Sequence, residues 1–280
     1  MINKPFLYHG KCRGTRKLAI YPPTIKAQVS VPLFNPNRSL DCYALMTDLG
    51  LMIKRMTKKD IRAILFDMDG VLFDSMKNHA EAWVRAMKEN NLIMSREDVY
   101  MNEGRTGGGT IDLFAQVQWG RNATDEEKEY IYKVKSDIFN TLPHVEPVNG
   151  AWEVLKAVKQ MGLQRVIVTG SGQKSLLERL EKNFPGIFSA DLMVTAFDVK
   201  HGKPHPEPYL MGLEKAGLTA EQAMVVENAP LGVQSAKGAG IYTIAVNTGP
   251  LADEVLYNAG ADIVFPNHAA LLEALPGLIR

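Results

Sequence analysis

Ile64-Leu65-Phe66-Asp67-Met68-Asp69-Gly70-Val71-Leu72-Phe73-Asp74-Ser75 is an apolar run that ends in two carboxylates spaced two apart and then a glycine. An apolar run bounded by turn formers is what a strand covered on both faces looks like. Ligands of open α/β sheets bind at the carboxyl ends of such strands, so Asp67 and Asp69 fall where chemistry is done. Taken alone, Asp-x-Asp-Gly is also an Asx turn with solvated acids. Three later stretches weigh against that reading: Thr169 follows Val166-Ile167-Val168, Lys203 lies between Gly202 and Pro204, and Glu227-Asn228 follow Ala223-Met224-Val225-Val226. With the first, these make four strand ends that supply two acids, a hydroxyl, a cation and an acid-amide pair, a set that suits phosphoryl transfer with a divalent metal.

Downstream of Ser75 the spacing changes to helical. Met76, Ala80, Trp83, Val84 and Met87 share one face, Ser95-Arg96-Glu97-Asp98 offers an N-cap, and the capping box Thr124-Asp125-Glu126-Glu127 opens a helix carrying Ile131, Val134, Ile138 and Phe139. About a hundred residues thus separate the first strand from Thr169, far more than the dozen or so that a crossover needs. From Pro147 the pattern alternates: helix 151–161, strand 165–169, helix 173–183, strand 192–196, a capping-box turn over 219–222, strand 223–226, helix 231–239, and strands 242–246 and 263–265. The predicted fold is α/β: a Rossmann-like doubly wound parallel-sheet core over 56–75 and 147–280, with residues 76–146 inserted as an α-helical cap domain.

With 46% hydrophobic and 22% charged residues, the 280-residue chain has the composition of a globular protein able to bury a core. A net charge of +1 points to neither nucleic acid nor a membrane surface. The distribution is uneven, since residues 1–55 carry +7 and the remainder −6. That N-terminal part holds Pro5, Pro22, Pro23, Pro32 and Pro36 and no sustained period. We read it as an extension outside the fold, a disordered tail or an upstream start preceding a natural start at Met56; a transit peptide and an anion-binding arm are the functional alternatives. Both cysteines, Cys12 and Cys42, lie there, so the body depends on no disulfide, which favours a cytoplasmic enzyme.

The four strand-end stretches resemble, in order, the motifs of the haloacid-dehalogenase-like phosphohydrolase superfamily, over a region running from about Lys59 to the C-terminus. The resemblance narrows to the β-phosphoglucomutase-like branch, and within it to bacterial inorganic pyrophosphatases. It does so through Glu103-Gly104-Arg105-Thr106, Val168-Thr169-Gly170-Ser171-Gly172-Gln173 and Val226-Glu227-Asn228-Ala229-Pro230-Leu231-Gly232. It implies Mg²⁺ held by the Asp67 carboxylate, the Asp69 backbone carbonyl and the side chain at 228. Many relatives have Asp at that position and this chain has Asn, a weaker ligand, which leaves Glu227 as a supporting or substitute metal ligand. It also implies that Glu103, Arg105 and Thr106 belong to a cap specificity loop, with Arg105 meeting the distal anionic group and Glu103 a water on the metal. His79 matches a cap-hinge histidine of the mutase branch.

The residue chemistry is consistent with these expectations. Asp67 is placed to attack phosphorus and form an aspartyl-phosphate if Lys203 and a metal quench the charge repulsion. Asp69 would protonate the leaving oxygen and later deprotonate water; halide expulsion needs no such acid, so Asp69 argues for phosphate chemistry. Thr169, Gly170 and Ser171 offer a hydroxyl and free amides at a helix start, which favour phosphate, or they form an ordinary helix cap. Glu227 and Asn228 could likewise cap the helix that follows. Lys135 and Tyr132 are candidates for the distal phosphate, or solvent-facing residues, and His79 is a binding residue or a satisfied histidine at the domain junction. His201 and His205 flank Lys203 without metal-ligand spacing and read as loop residues. A carboxylate facing a polyanion is costly unless a cation lies between, so Glu103 fits a small metal-laden substrate such as pyrophosphate better than a free sugar. The expected partner is a small phosphorylated substrate, and oligomeric state is left open, a monomer being compatible. A hexose-phosphate mutase and a non-catalytic binding protein are the competing readings.

Overall fold

The computed structural model describes residues 60–171 and 176–279. The expectations for residues 1–55, and for a helix starting at Gln173, therefore fall wholly or partly outside the described residues. The sheet has six strands, β1 (Ala63–Phe66), β2 (Gln164–Val168), β3 (Met193–Val194), β4 (Ala223–Glu227), β5 (Tyr242–Val246) and β6 (Ile263–Phe265), all parallel, in the order 3-2-1-4-5-6. The expected strand at 192–196 shortens to β3, because a 3-10 turn occupies Ala190–Leu192 and Thr195 is tied to the Asp198 carboxylate through its amide and hydroxyl.

Every residue of β1 is buried, and the period of two divides its side chains between two cores. Ile64 and Phe66 join Ile167, Met224, Val226 and Ile244 under the helices α5 (Ala151–Gln160), α6 (Leu176–Asn183) and α10 (His268–Ile279). Ala63 and Leu65 join Val166, Val168 and Val225 under α7 (Glu207–Ala216) and α8 (Pro230–Gly238). The short α9 (Asp253–Asn258) packs Leu256 against Val233 and Ala245. Each large apolar side chain buried this way contributes about 1.5–3 kcal/mol, which is why a run without polar interruption becomes the sheet centre.

Between β1 and α5 lie four helices: α1 (Met76–Glu89), α2 (Arg96–Met101), α3 (Gly107–Trp119) and α4 (Asp125–Thr141). Their own core joins Met76, Ala80, Trp83 and Met87 of α1 to Ile111, Ala115 and Ile131. Capping boxes at Ser95 and Thr124 start α2 and α4 where the sequence signals them. The chain enters and leaves this layer through adjacent segments, Asp74 N–H donating to Glu146 O (2.9 Å) and Val148 N–H to Leu72 O (2.9 Å). Among the described residues, no helix is long and apolar enough to cross a membrane.

Candidate active site

Strand order reverses direction at β1 and β4, and the carboxyl ends of β1, β2 and β4 bring Asp67, Thr169 and Glu227 to one edge of the sheet. Asp67, Lys203 and Glu227 are all buried. Lys203 Nζ donates to Asp67 Oδ1 (2.6 Å) and to Glu227 Oε1 (2.5 Å). Glu227 Oε1 also accepts the Tyr209 hydroxyl (2.6 Å), and Oε2 accepts the amides of Asn228 (3.1 Å) and Ala229 (3.4 Å). Glu227 thus holds Lys203 and the start of α8. Gly232 makes room for it, because a Cβ there would collide with this carboxylate.

Asp69 lies in a different environment. It accepts the Ser75 hydroxyl (2.6 Å) and faces His79 Nε2 (3.4 Å), while His79 Nδ1 lies 2.9 Å from Lys135 Nζ. Burial alone would raise the Asp69 carboxyl, but His79, the Ser75 hydrogen bond and the Arg179 guanidinium outweigh it and hold the carboxyl well below the usual range. Burial, joined by the charge of Lys135, lowers His79. Lys135 itself is pushed down to about 8 by burial, Asp69 pulling the other way. Its ammonium stands over Phe139 (5.1 Å), Trp83 (5.5 Å) and Tyr132 (5.7 Å). The solvent-facing alternative for Lys135 is thus overturned: it occupies the buried stripe of α4 with Ile131 and Ile138, at i, i+4 and i+7. Tyr132 borders the cleft with partial exposure.

The segment 103–106 closes over these loops. Glu103 Oε1 accepts Asn228 Nδ2 (3.0 Å), and burial, with Asp67 and Glu227 nearby, raises the Glu103 carboxyl well above its ordinary value. Gly104 has φ +86°, and a Cβ there would lie 2.9 Å from Lys203 Cδ, so only glycine fits this turn against the lysine. Gly107, Gly108 and Gly109 form the first turn of α3 rather than a loop. Thr106 caps that helix, its hydroxyl accepting Gly109 N–H (3.2 Å). Thr106 is not among the residues that line the cleft. Arg105 does line it, its Nε 3.4 Å from Asn102 Oδ1. Ser171 N–H donates to Thr169 Oγ1 (3.1 Å), so the amide expected to be free is already used.

The cleft is open on one side, and the empty space in and before it amounts to about 730 Å³, open solvent included. Asp67, Asp69, Thr169, Gly170 and Ser171 line it on the sheet side; Glu103, Arg105, His79, Tyr132 and Lys135 line it on the helical side. Trp83, Met94, Val99, Asn102 and Thr110, not singled out as site residues in the sequence, complete the wall. Tyr209 and Ser75 were also missed as site residues. Ser75 carries a misleading signal, because it stands at the N-cap position of α1 yet gives its hydroxyl to Asp69 instead of the helix.

The residues fit a hard cation. Asn228 Oδ1 is buried and without a hydrogen-bond partner among the described residues. Burial, with Glu227 and Asp69 adding to it and Lys203 opposing, pushes the Asp67 carboxyl up to about 8. A group of carboxylates short of positive charge, next to an unpartnered amide oxygen, is a donor set for Mg²⁺.

Residues 64–246 match the sequence model of the family described as haloacid dehalogenase-like hydrolase. A phosphorylated carbohydrates phosphatase of Thermotoga maritima is 32% identical over 208 residues, covering 72% of this chain and 92% of the relative. Hexitol phosphatase A of Escherichia coli is 29% identical, covering 66% and 83%. Among solved structures, a β-phosphoglucomutase candidate from Bacteroides vulgatus is 51% identical with a TM-score of 0.77, covering 86% of this chain and 98% of that one.

Proposed function

The chain belongs to the haloacid dehalogenase-like hydrolases and is a phosphatase of that family, and we propose that it is a Mg²⁺-dependent phosphohydrolase whose best substrate is inorganic pyrophosphate. The observation that carries this reading is Glu103, a carboxylate delivered from the helical layer onto Asn228 beside Asp67. Without a cation this acid is driven toward its neutral form; a bound Mg²⁺ and a compact, metal-laden polyanion would let it ionise there.

Asp67 attacks phosphorus, the bond from phosphorus to the leaving phosphate oxygen breaks, and Asp69 supplies that oxygen with a proton. Water then attacks the aspartyl-phosphate, Asp69 takes its proton, and the bond from phosphorus to Asp67 breaks to release phosphate and restore the carboxylate. His79 and Ser75 hold Asp69 ionised, the state that accepts the proton from water; a bound phosphate, by adding negative charge nearby, raises its proton affinity for the acid half. Lys203 stays charged, since burial opposes but Asp67 and Glu227 outweigh it, and it neutralises the nucleophile and transferring group. Lys135 and Arg105 are the cations for the distal phosphate. Asp67, the Asp69 carbonyl and Asn228 would hold Mg²⁺, which supplies charge neutralisation to the phosphoryl oxygens. Residues 76–146 then act as a cap over a core of 56–75 and 147–280. A body without cysteine suits the cytoplasm.

A phosphorylated sugar is the second reading, favoured by the apolar wall of Met76, Trp83, Met94 and Val99 and by what the named relatives act on. Phosphate release with Mg²⁺ from pyrophosphate and from a panel of sugar and nucleotide phosphates separates the two: pyrophosphate leading supports the proposal, and a sugar phosphate leading replaces it. Asp67→Asn should abolish release in the same assay while keeping the melting temperature, and wild-type turnover would refute Asp67 as nucleophile.

A further inference from the structure

Lys203 is flanked by two imidazoles that take no part in the cleft. His201 Nδ1 lies 2.8 Å from Glu207 Oε2, His205 Nδ1 lies 3.8 Å from the same oxygen, and the ring centroids are 4.6 Å apart. The spacing His-x-x-x-His-x-Glu, which reads as unremarkable loop sequence, is brought together because the chain turns at 202–206 and enters α7 at Glu207. Both histidine side chains are at least half exposed, whereas Lys203 between them turns inward and is buried.

We propose that His201, His205 and Glu207 form a surface site for one transition-metal ion that prefers imidazole, Zn²⁺ above all, separate from the Mg²⁺ position. One ligand atom from each residue lies within 4.8 Å of the others, and ligand atoms around a tetrahedral Zn²⁺ are about 3.3 Å apart, so small rotations of exposed side chains suffice. Two imidazoles and one carboxylate leave a fourth position open to water and select Zn²⁺, Ni²⁺ or Cu²⁺ over Mg²⁺, which prefers oxygen. The carboxylate is already aimed, accepting the amides of Lys200 (2.8 Å) and His201 (3.0 Å). The Glu207 amide donates to His205 Nδ1 (3.2 Å), leaving Nε2 as that ring's alternative ligand atom. Bound metal would tie the two residues flanking Lys203 to the first turn of α7, the helix that carries Tyr209, and so clamp the loop from outside.

The test is a calorimetric titration of metal-stripped full chain with Zn²⁺ in a large excess of Mg²⁺, which keeps the carboxylate cleft occupied. The proposal expects one Zn²⁺ per chain and a Zn²⁺-dependent rise in melting temperature. In His201→Ala and in His205→Ala the affinity should fall more than about tenfold, with Mg²⁺-supported activity and zinc-free melting temperature unchanged. No zinc uptake overturns it. So does equal uptake by wild type and both histidine variants, which would assign the zinc elsewhere and leave the His201–Glu207 pair as a loop staple.

Discussion

Lys203 gives its charge to two buried carboxylates at once, and Lys135 is left as the ammonium whose own proton is least secure. The free enzyme keeps Lys135 charged only below pH about 8. With Asp67 held ionised by Mg²⁺, kcat/KM, which reports the free enzyme, should therefore fall as pH rises through about 8. Lys135→Met should lower kcat/KM at neutral pH by about tenfold or more, the loss of one charged hydrogen bond, and remove that alkaline fall. A profile unchanged in the variant would take Lys135 out of substrate binding. At this scale Asp67, Asp69, Thr169 and Lys203 were legible as a group because each follows an apolar run or sits in a rigid Gly-x-Pro setting. The partners were not legible: Glu227 on Lys203, Ser75 on Asp69 and His79 on Lys135 arise only when segments as far as 56 residues apart meet. Lys135 did carry one signal, its place on the Ile131 and Ile138 stripe.

The turn 103–106, with the helix it starts, brings the helical layer against Asn228 and Lys203. Gly104→Ala places a methyl against a lysine pinned by two carboxylates, at a φ that L-residues avoid, at a cost of about 1–2 kcal/mol. We expect a lower midpoint in urea and a larger drop in kcat than stability alone would produce; full activity would show that Gly104 and Lys203 separate during turnover. Strands such as β1 and β4 were readable to within a residue or two because nothing polar interrupts them. Helices α3 and α7 were not, since one opens on three glycines and the other on Glu207-Pro208, residues that suggest loops. The Thr106 cap and a proline tolerated in the first turn explain why both are helices.

The described residues place two apolar cores on either side of one sheet and the helical layer over its active edge. His268, buried at the start of α10, is pulled down to about 4 by burial, a backbone contact at Val71 pulling the other way. A histidine depressed in the folded state adds stability that is present above its unfolded value near 6.5 and is lost as pH falls toward 4. Denaturant midpoints should drop across that window, and His268→Gln should flatten the slope; identical slopes would assign the acid sensitivity to other groups. The fold class was legible because strand runs alternate with helical spacing after Pro147. The closeness of the helical layer was not, since it depends on there being no side chain at Gly104 against Lys203, at Gly170 against the Gly104 carbonyl and at Gly202 against Thr106. The central claim, that Glu103 adapts this cleft to pyrophosphate, is tested most directly by kcat/KM for pyrophosphate and for a sugar monophosphate in wild type and Glu103→Ala, both with Mg²⁺. The expected loss on pyrophosphate is more than about tenfold greater than on the sugar phosphate, one charged contact's worth; equal losses on the two substrates would take Glu103 out of substrate selection.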